Sequence, residues 1–257
     1  MSDIHSTAII HPDAKIGKNC HIGPYCIIDE DVILGDNNIL QSHVLITGNT
    51  EIGNNNKFFH SCAIGCDCQD LKYNGEPTKL IIGNDNTFRE FCTINRSATM
   101  DEPTQIGNNG LFMAYVHVAH NCILGNNLIL ANATNLAGHI HIEDFVTIGG
   151  MSAVSQFSTI GAYAFVGGKA GISKDVPPFT RGGGHPYKVA GINSIGLQRK
   201  GFDNDEIKSI KTMYKIFYLS GKNTAQALEE VETIKPFTKG QEQFYNFIKN
   251  SKRGIHK

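Results

Sequence analysis

The chain has 257 residues, 40% hydrophobic and 18% charged, with 27 Gly, 8 Pro and no Trp. This composition excludes a disordered tail and fits one large globular domain, or one domain and a small second one. A net charge of −1 excludes a wholesale electrostatic grip on nucleic acid.

Met1 to Lys15 carry no basic region followed by an apolar one, so no signal peptide is expected. No apolar run approaches the ~18 residues of a membrane span. The seven Cys show neither a disulfide framework nor a zinc spacing. The expected compartment is the reducing cytoplasm.

From Ile4 onward the sequence repeats. Stepping by six to Ile172 gives 29 positions, and all but Asp70 and Glu76 are Ile, Leu, Val, Phe or Met. Gly often follows (Gly17, Gly35, Gly53, Gly83, Gly107, Gly125), and the fifth residue of each unit is often small. Cys20, Cys26, Cys62, Cys92 and Cys122 fill that fifth slot, as small buried hydrophobes rather than ligands. A period of six matches neither form of helix. It describes a short strand plus a corner, three of which close a triangular coil of eighteen residues. Stacked coils then pair as parallel β-strands ~4.8 Å apart, with the apolar residue inward and Gly relieving the corner. The expected fold is an all-β left-handed parallel β-helix over 1–190, with loops inserted near 66–80 and 98–105.

After Pro177-Pro178 and a Gly-rich link from Arg181 to Gly191, the composition changes, and 191–257 is expected to be a small α-helical domain. Asp203 is a plausible N-cap for a helix through Ile207, Ile210, Tyr214, Phe217 and Tyr218 to Gly221. A second helix is expected over Thr224 to Ile234 and a third over Lys239 to Ser251. Residues 1–198 carry 11 basic and 17 acidic side chains, and residues 199–257 carry 12 and 7. A basic helical end on an acidic body suits an anionic partner.

Stacking predicts neighbours. His120, Gly138 and Gln156 are eighteen apart and share one column, with His139 beside it and His117 three residues before His120. Asp70 and Lys72, from the first loop, can reach the same face. Three His can hold a catalytic zinc, and some hexapeptide β-helix proteins are zinc carbonic anhydrases. Here, however, His117 and His120 are three apart on an extended segment and are expected to face opposite ways. No metal or redox cofactor is implied. A neutral His acting as general base on a sugar hydroxyl, with a backbone N–H for the oxyanion, is the better chemistry.

Several segments carry a resemblance: Gln69-Asp70-Leu71-Lys72-Tyr73, His117-Val118-Ala119-His120, Leu136-Ala137-Gly138-His139, Asp175-Val176-Pro177-Pro178 and Gly196-Leu197-Gln198-Arg199-Lys200-Gly201-Phe202. Together with the hexads, they resemble the acyl-[acyl-carrier-protein]–UDP-N-acetylglucosamine O-acyltransferases over nearly the whole chain. The resemblance implies a homotrimer with active sites between subunits. It also implies transfer of an R-3-hydroxyacyl chain from acyl carrier protein to the sugar 3-position, the first step of lipid A biosynthesis. By position, His120 resembles the general base and Gly138 the oxyanion donor. Gln69, Asp70, Lys72, His117 and His139 resemble cleft residues. Gln156 resembles a residue near the pyrophosphate, Asn193 one near the uracil, and Arg199 and Lys200 phosphate contacts. Gly168 resembles the acyl-chain ruler, whose small size implies a long chain.

Four residues depart from the family pattern. Asn121 stands where Asp is usual, Ser155 where His is usual, Ile195 where many members carry an acid, and Lys200 where Arg is found. A neutral Asn121 can orient the base but cannot stabilise its imidazolium as Asp would. The alternative acceptor is therefore a UDP 3-amino sugar, whose amine depends less on a strong base. A non-catalytic trimeric scaffold is the other alternative. The related N-acyltransferase carries an extra N-terminal domain, for which hexads starting at Ile4 leave no room.

Overall fold

The structure is a computed structural model and describes residues 2–257. The hexads become short strands, most of two residues, in three sheets of eleven, nine and eight strands that form the faces of a left-handed prism. Each strand pairs in parallel with the one a coil above, as Asp3↔His21, His21↔Ile39 and Ile39↔Lys57 show on the first face. Ile9–Ile10 opens the second face and Lys15–Ile16 the third. The inward residues make one continuous core, in which Phe58, Phe88 and Phe112 stack at 5.0 and 4.7 Å.

The corners differ from the sequence expectation. The Gly after an inward residue is, apart from Gly65 at φ 78°, not in the left-handed region. It is there because successive corners nearly touch: a Cβ on Gly35 would lie 2.6 Å from the Gly53 carbonyl oxygen, and one on Gly17 2.4 Å from the Gly35 carbonyl carbon. The left-handed turn falls two residues later, on side chains such as Asn19, Tyr25, Asn37 and Tyr115, at φ between 56° and 62°. That conformation costs roughly 1 kcal/mol for an L-residue. Backbone bonds to the coil below offset it, for example Asn37 N–H to the Lys18 carbonyl at 2.8 Å. The five Cys of the small slot are buried and donate to corner carbonyls, as Cys122 does to Ala137 at 3.1 Å. Burial pushes the Cys122 thiol up to about 12.

Two coils carry extra residues. The register jumps from Lys57 to Thr87 and from Thr87 to Leu111, so the first insertion, 67–78, adds twelve residues and the second, 96–103, adds six. Both are multiples of six, so the repeat keeps its phase across them. Met100 therefore only mimics an inward hexad; it lies in the second insertion and is 60% exposed.

The segment read as a Gly-rich link is ordered. Thr180–Gly183 joins the first face in parallel and folds back antiparallel on Lys188–Ile192. Gly182 is needed there, because a Cβ would lie 2.2 Å from the Lys188 carbonyl. A short helix absent from the sequence reading follows, α1 (Ser194–Arg199), then α2 (Asn204–Tyr214) capped by Asp203. A wider π-type turn carries α2 on to Leu219. The remaining helices are α3 (Thr224–Glu232) and α4 (Lys239–Asn250), each opened by a reciprocal cap. They pack on a second core through Phe217, Phe244 and Ile248.

The chain end latches onto the top of the prism. The His256 imidazole Nε2 accepts the Ser173 and Lys174 N–H groups at 3.0 and 3.1 Å, and its ring meets Tyr187 edge-on at 5.1 Å. Burial, and then the Lys174 charge, hold this imidazole below its ordinary range, with Asp175 opposing. The unfolded chain binds the His256 proton more readily than the folded one. The latch is thus fully stabilising above about pH 6.5 and weakens as pH falls from there through the lower folded value. His256→Phe should cost about 1–3 kcal/mol at pH 7 by denaturant unfolding. The difference from the parent should shrink by pH 5; a constant difference across that window would refute the latch.

Candidate active site

His120, Gly138 and Gln156 occupy equivalent positions on three successive coils, at the corner between the second and third faces. The His120 ring lies over Gly138, where a Cβ would come within 2.5 Å of Cε1, so only Gly permits the ring to rest there. Together with Gln69, His117 and Asn135 they line an open cleft of about 360 Å³. His117 points outward from the second face, with Nδ1 2.8 Å from the Thr93 hydroxyl. The expectation that His117 and His120 face opposite ways does not hold. The corner between them turns the chain, and both side chains look onto the one cleft.

His120 is 6% exposed, and its two ring nitrogens have different surroundings. Nδ1 lies 3.0 Å from Asn121 Oδ1. The Asn121 amide is fixed from every side: Oδ1 also accepts the Ala98 N–H at 2.9 Å, while Nδ2 donates to Thr99 Oγ1 and to the Glu102 carbonyl, both at 3.0 Å. An oxygen is therefore what faces the imidazole, so Nδ1 carries the proton and Nε2 keeps a lone pair toward the cleft. Asp70 Oδ2 approaches Nε2 to 3.9 Å.

The Gly138 N–H makes no backbone hydrogen bond among the described residues. On the corner between the third and first faces, the equivalent N–H groups of Lys18, Asp36 and Asn54 are taken by a ladder of Asp and Asn side chains. The cleft corner lacks that ladder and leaves a donor free beside His120.

His139 sits in the left-handed position at φ 58°, between the edge of His120 at 5.2 Å and the face of Phe157 at 4.7 Å. Burial, and then the His120 charge, push its imidazole down, and burial does the same to His117. Lys72 is exposed, and its backbone N–H closes a turn on Asp70 Oδ1 at 2.9 Å. Among the described residues, no three His, Cys, Asp or Glu side chains converge as a metal site.

The remaining candidates lie elsewhere. Asn193, Arg199 and Lys200 line a groove of about 760 Å³ on the first face, with Phe165, Ile195 and Arg181. Asn193 caps α1 through Gly196 N–H at 3.2 Å and donates to the Tyr163 carbonyl at 3.0 Å. Lys200 Nζ stands 4.8 Å from the centre of the Phe145 ring. Arg181 is a residue that sequence reasoning missed; a lone Arg in a Gly-rich stretch was the available signal. Gly168 lies at the opposite edge of the second face from His120, directly above Gly150. Ser155 and Ile195 are exposed.

Residues 175–256 match the family model described as UDP-N-acetylglucosamine O-acyltransferase, domain 2. Residues 13–48 match the bacterial transferase hexapeptide (six repeats). A UDP-N-acetylglucosamine acyltransferase from Bacteroides fragilis is 42% identical, with 99% of this chain and 100% of that one covered and a TM-score of 0.96. LpxA from Acinetobacter baumannii is 42% identical over 99% of each chain, with a TM-score of 0.95. The UDP-N-acetylglucosamine O-acyltransferase of Moraxella catarrhalis is 41% identical over 99% of each, with a TM-score of 0.93.

Asn121→Ala should release the His120 tautomer. Nitrogen NMR of the ring should read a single Nδ1–H form in the parent and a mixture in the variant. Unfolding should show a loss of about 1–3 kcal/mol, since Ala98 N–H and the Glu102 carbonyl lose their partner. An unchanged ring spectrum would show that another group fixes the imidazole.

Proposed function

The chain belongs to the UDP-N-acetylglucosamine O-acyltransferase family, and from that membership we propose its full reaction: transfer of an R-3-hydroxyacyl chain from acyl carrier protein to the 3-hydroxyl of UDP-N-acetylglucosamine, the first step of lipid A biosynthesis. The observation that carries the mechanism is the imidazole of His120, with Nδ1 tied to Asn121 and Nε2 open beside the free Gly138 N–H.

Nε2 takes the proton of the sugar 3-hydroxyl as its oxygen attacks the thioester carbonyl. The carbonyl π electrons move to oxygen, and the Gly138 N–H stabilises that oxyanion. Collapse breaks the C–S bond, and the imidazolium returns the proton to the departing thiolate. Both chemical steps balance on one His and one backbone donor, and no metal or redox cofactor is invoked. His117, His139, Gln69 and Asp70 surround the acceptor, and the depressed His117 and His139 stay neutral at pH 7.

The nucleotide is assigned to Asn193, Arg199, Lys200 and Gln156. The first three lie on the first face, whereas His120 serves the second, so one chain cannot offer both groups to one substrate. A head-to-tail threefold contact, first face to second face, would unite them, which supports a homotrimer. The exposed side chains of Tyr25, Phe91, Tyr115 and Met151 run along the corner between those faces and support the same contact. The basic end of the chain, with 12 basic and 7 acidic side chains over 199–257, suits two anionic substrates, and an acyl carrier protein donor implies the cytoplasm.

Gly168 supports a long acyl chain. Above His117 the outward residues of the second face are Asn135, Ala153 and Gly171, so the side chains shrink coil by coil toward the Gly168 level, and Gly171 lies three coils above His117. That is about 14 Å of height at ~4.8 Å per coil. One observation favours a second acceptor, a UDP 3-amino sugar: Asn121 is a neutral partner for the base, and an amine needs less help than a hydroxyl. The intact base, orienting amide and free donor speak against a non-catalytic scaffold.

The deciding assay is transfer from 3-hydroxymyristoyl-acyl carrier protein to UDP-N-acetylglucosamine and to its 3-amino analogue. His120→Ala should lower turnover by about 10²–10⁴-fold while leaving the fold intact by circular dichroism. An inactive parent with both acceptors would sink the proposal. Gly168→Met brings its Cβ to 3.1 Å from the Gly150 carbonyl, so that backbone must yield by a few tenths of an ångström. It should shift preference from a chain of about fourteen carbons to a shorter one, each lost methylene being worth about tenfold or more. An unchanged chain-length profile would remove Gly168 from the tunnel.

A further inference from the structure

The first insertion brings Gln69 and Asp70 to the cleft, yet little within it fixes their position. Asp70 itself holds only a short turn: its N–H donates to Cys68 Sγ at 3.2 Å, its Oδ1 accepts the Lys72 N–H at 2.9 Å, and its carbonyl accepts the Tyr73 N–H at 3.1 Å. The firm attachments come from outside the loop, from two consecutive residues where the second insertion begins. Asn95 Nδ2 donates to the Asp67 carbonyl at 2.7 Å. Arg96 Nη2 contacts the Asp67 carboxylate and donates to the Tyr73 hydroxyl at 2.9 Å, while Nη1 donates to the Gly65 carbonyl at 2.8 Å.

We propose that Arg96 is a positioning residue for acyl transfer: it moors loop 67–78 to the prism so that Asp70 and Gln69 meet the His120 cleft. The proposal rests on the acyltransferase reading of that cleft.

Four features point to a built mooring rather than a chance surface pair. The Arg96 side chain is 13% exposed, far less than Lys208 of the helical end at 75%. Its seat is kept open by Gly48, since a Cβ there would lie 2.4 Å from Nη1 and Gly48 has φ 63°. Its contacts bracket the functional residues, with Asp67 on one side of Gln69 and Asp70 and Tyr73 on the other. Tyr73 passes the attachment on, because its hydroxyl donates to the Glu76 carbonyl at 2.7 Å. A guanidinium can hold a carbonyl, a carboxylate and a hydroxyl at once in one plane, whereas an ammonium is a single point charge on a flexible stem. Arg96 hydrogen-bonds no residue lining the cleft, so it acts through the loop.

The test uses the full chain in its native assembly. Arg96→Ala should lower kcat/KM by roughly tenfold to a hundredfold, the scale of an ångström misplacement. The loss should appear mainly as a raised KM for UDP-N-acetylglucosamine. Arg96→Lys should recover little, and millimolar guanidinium should restore activity to Arg96→Ala where methylammonium does not. In an Asp70→Asn background the Arg96→Ala effect should shrink to within about twofold, since both changes remove the same contact. Hydrogen exchange should quicken in 67–78 and nowhere in the coils. Equal losses in both backgrounds, unchanged exchange in the loop, or full activity in Arg96→Ala would each overturn the proposal. The exchange readout needs no turnover, so an inactive parent would defeat the reaction proposed above while the mooring would still be tested.

Discussion

Everything in this molecule depends on the contact between one corner and the corner a coil above it. Parallel β pairing holds the coils ~4.8 Å apart, and at that spacing there is no room for a Cβ at Gly17 or Gly35, which would meet the next corner's backbone, while at Gly138 the His120 ring fills the place of one. The same stacking that demands Gly along the structural corners lays the His120 ring on Gly138 at the cleft corner. The cleft is thus the ordinary corner geometry with one ladder omitted. On the corner between the third and first faces, Asp and Asn side chains consume the N–H groups. At Gly138 nothing does.

The two insertions convert that bare corner into a site. Each adds a whole number of hexads, which lets the prism resume without a register error that would turn the core outward. The first insertion brings Asp70 to the Nε2 side of His120, and the second supplies the Ala98, Thr99 and Glu102 groups that hold Asn121 on the Nδ1 side. Arg96 begins the second insertion and grips the first, so the two are mechanically one clasp around a single imidazole. A rigid prism supplies the precision, and the loops supply the chemistry.

The repeat, the inward residues, the Cys slot and the three longer helices were all legible, because each is a local period or a cap that survives in one dimension. What was not legible has identifiable causes. Met100 kept the phase only because six residues were inserted. His117 and His120 were separated by strand logic that ignores the corner between them. The hairpin 180–192 hid in its glycines, of which Gly182 serves a close approach to Lys188 and Tyr187 while Gly184 and Gly191 take positive φ. The columns of the site could be read from a step of eighteen. The Asn121 and Arg96 networks could not, since they join residues 19 to 31 positions apart across inserted segments with no period.

Asn121 shows how such a network bears on chemistry. An Asp at this position would set a carboxylate oxygen against the Glu102 carbonyl, where the Nδ2 donor now sits at 3.0 Å. Two acceptors would then face each other in a buried place, at a cost of about 1–3 kcal/mol. The loop and the amide are consistent with each other, and a single change to Asp would damage one to alter the other. The proposed base, His120, is therefore oriented by a dipole instead of a charge. Its imidazolium gains no nearby counterion on the Nδ1 side, and Asp70, near Nε2, is the carboxylate left to stabilise it. That assignment makes the position of Asp70 matter more here than in a chain whose base is backed by a carboxylate. In the proposed mechanism, the mooring of the first loop is then the element on which proton transfer depends.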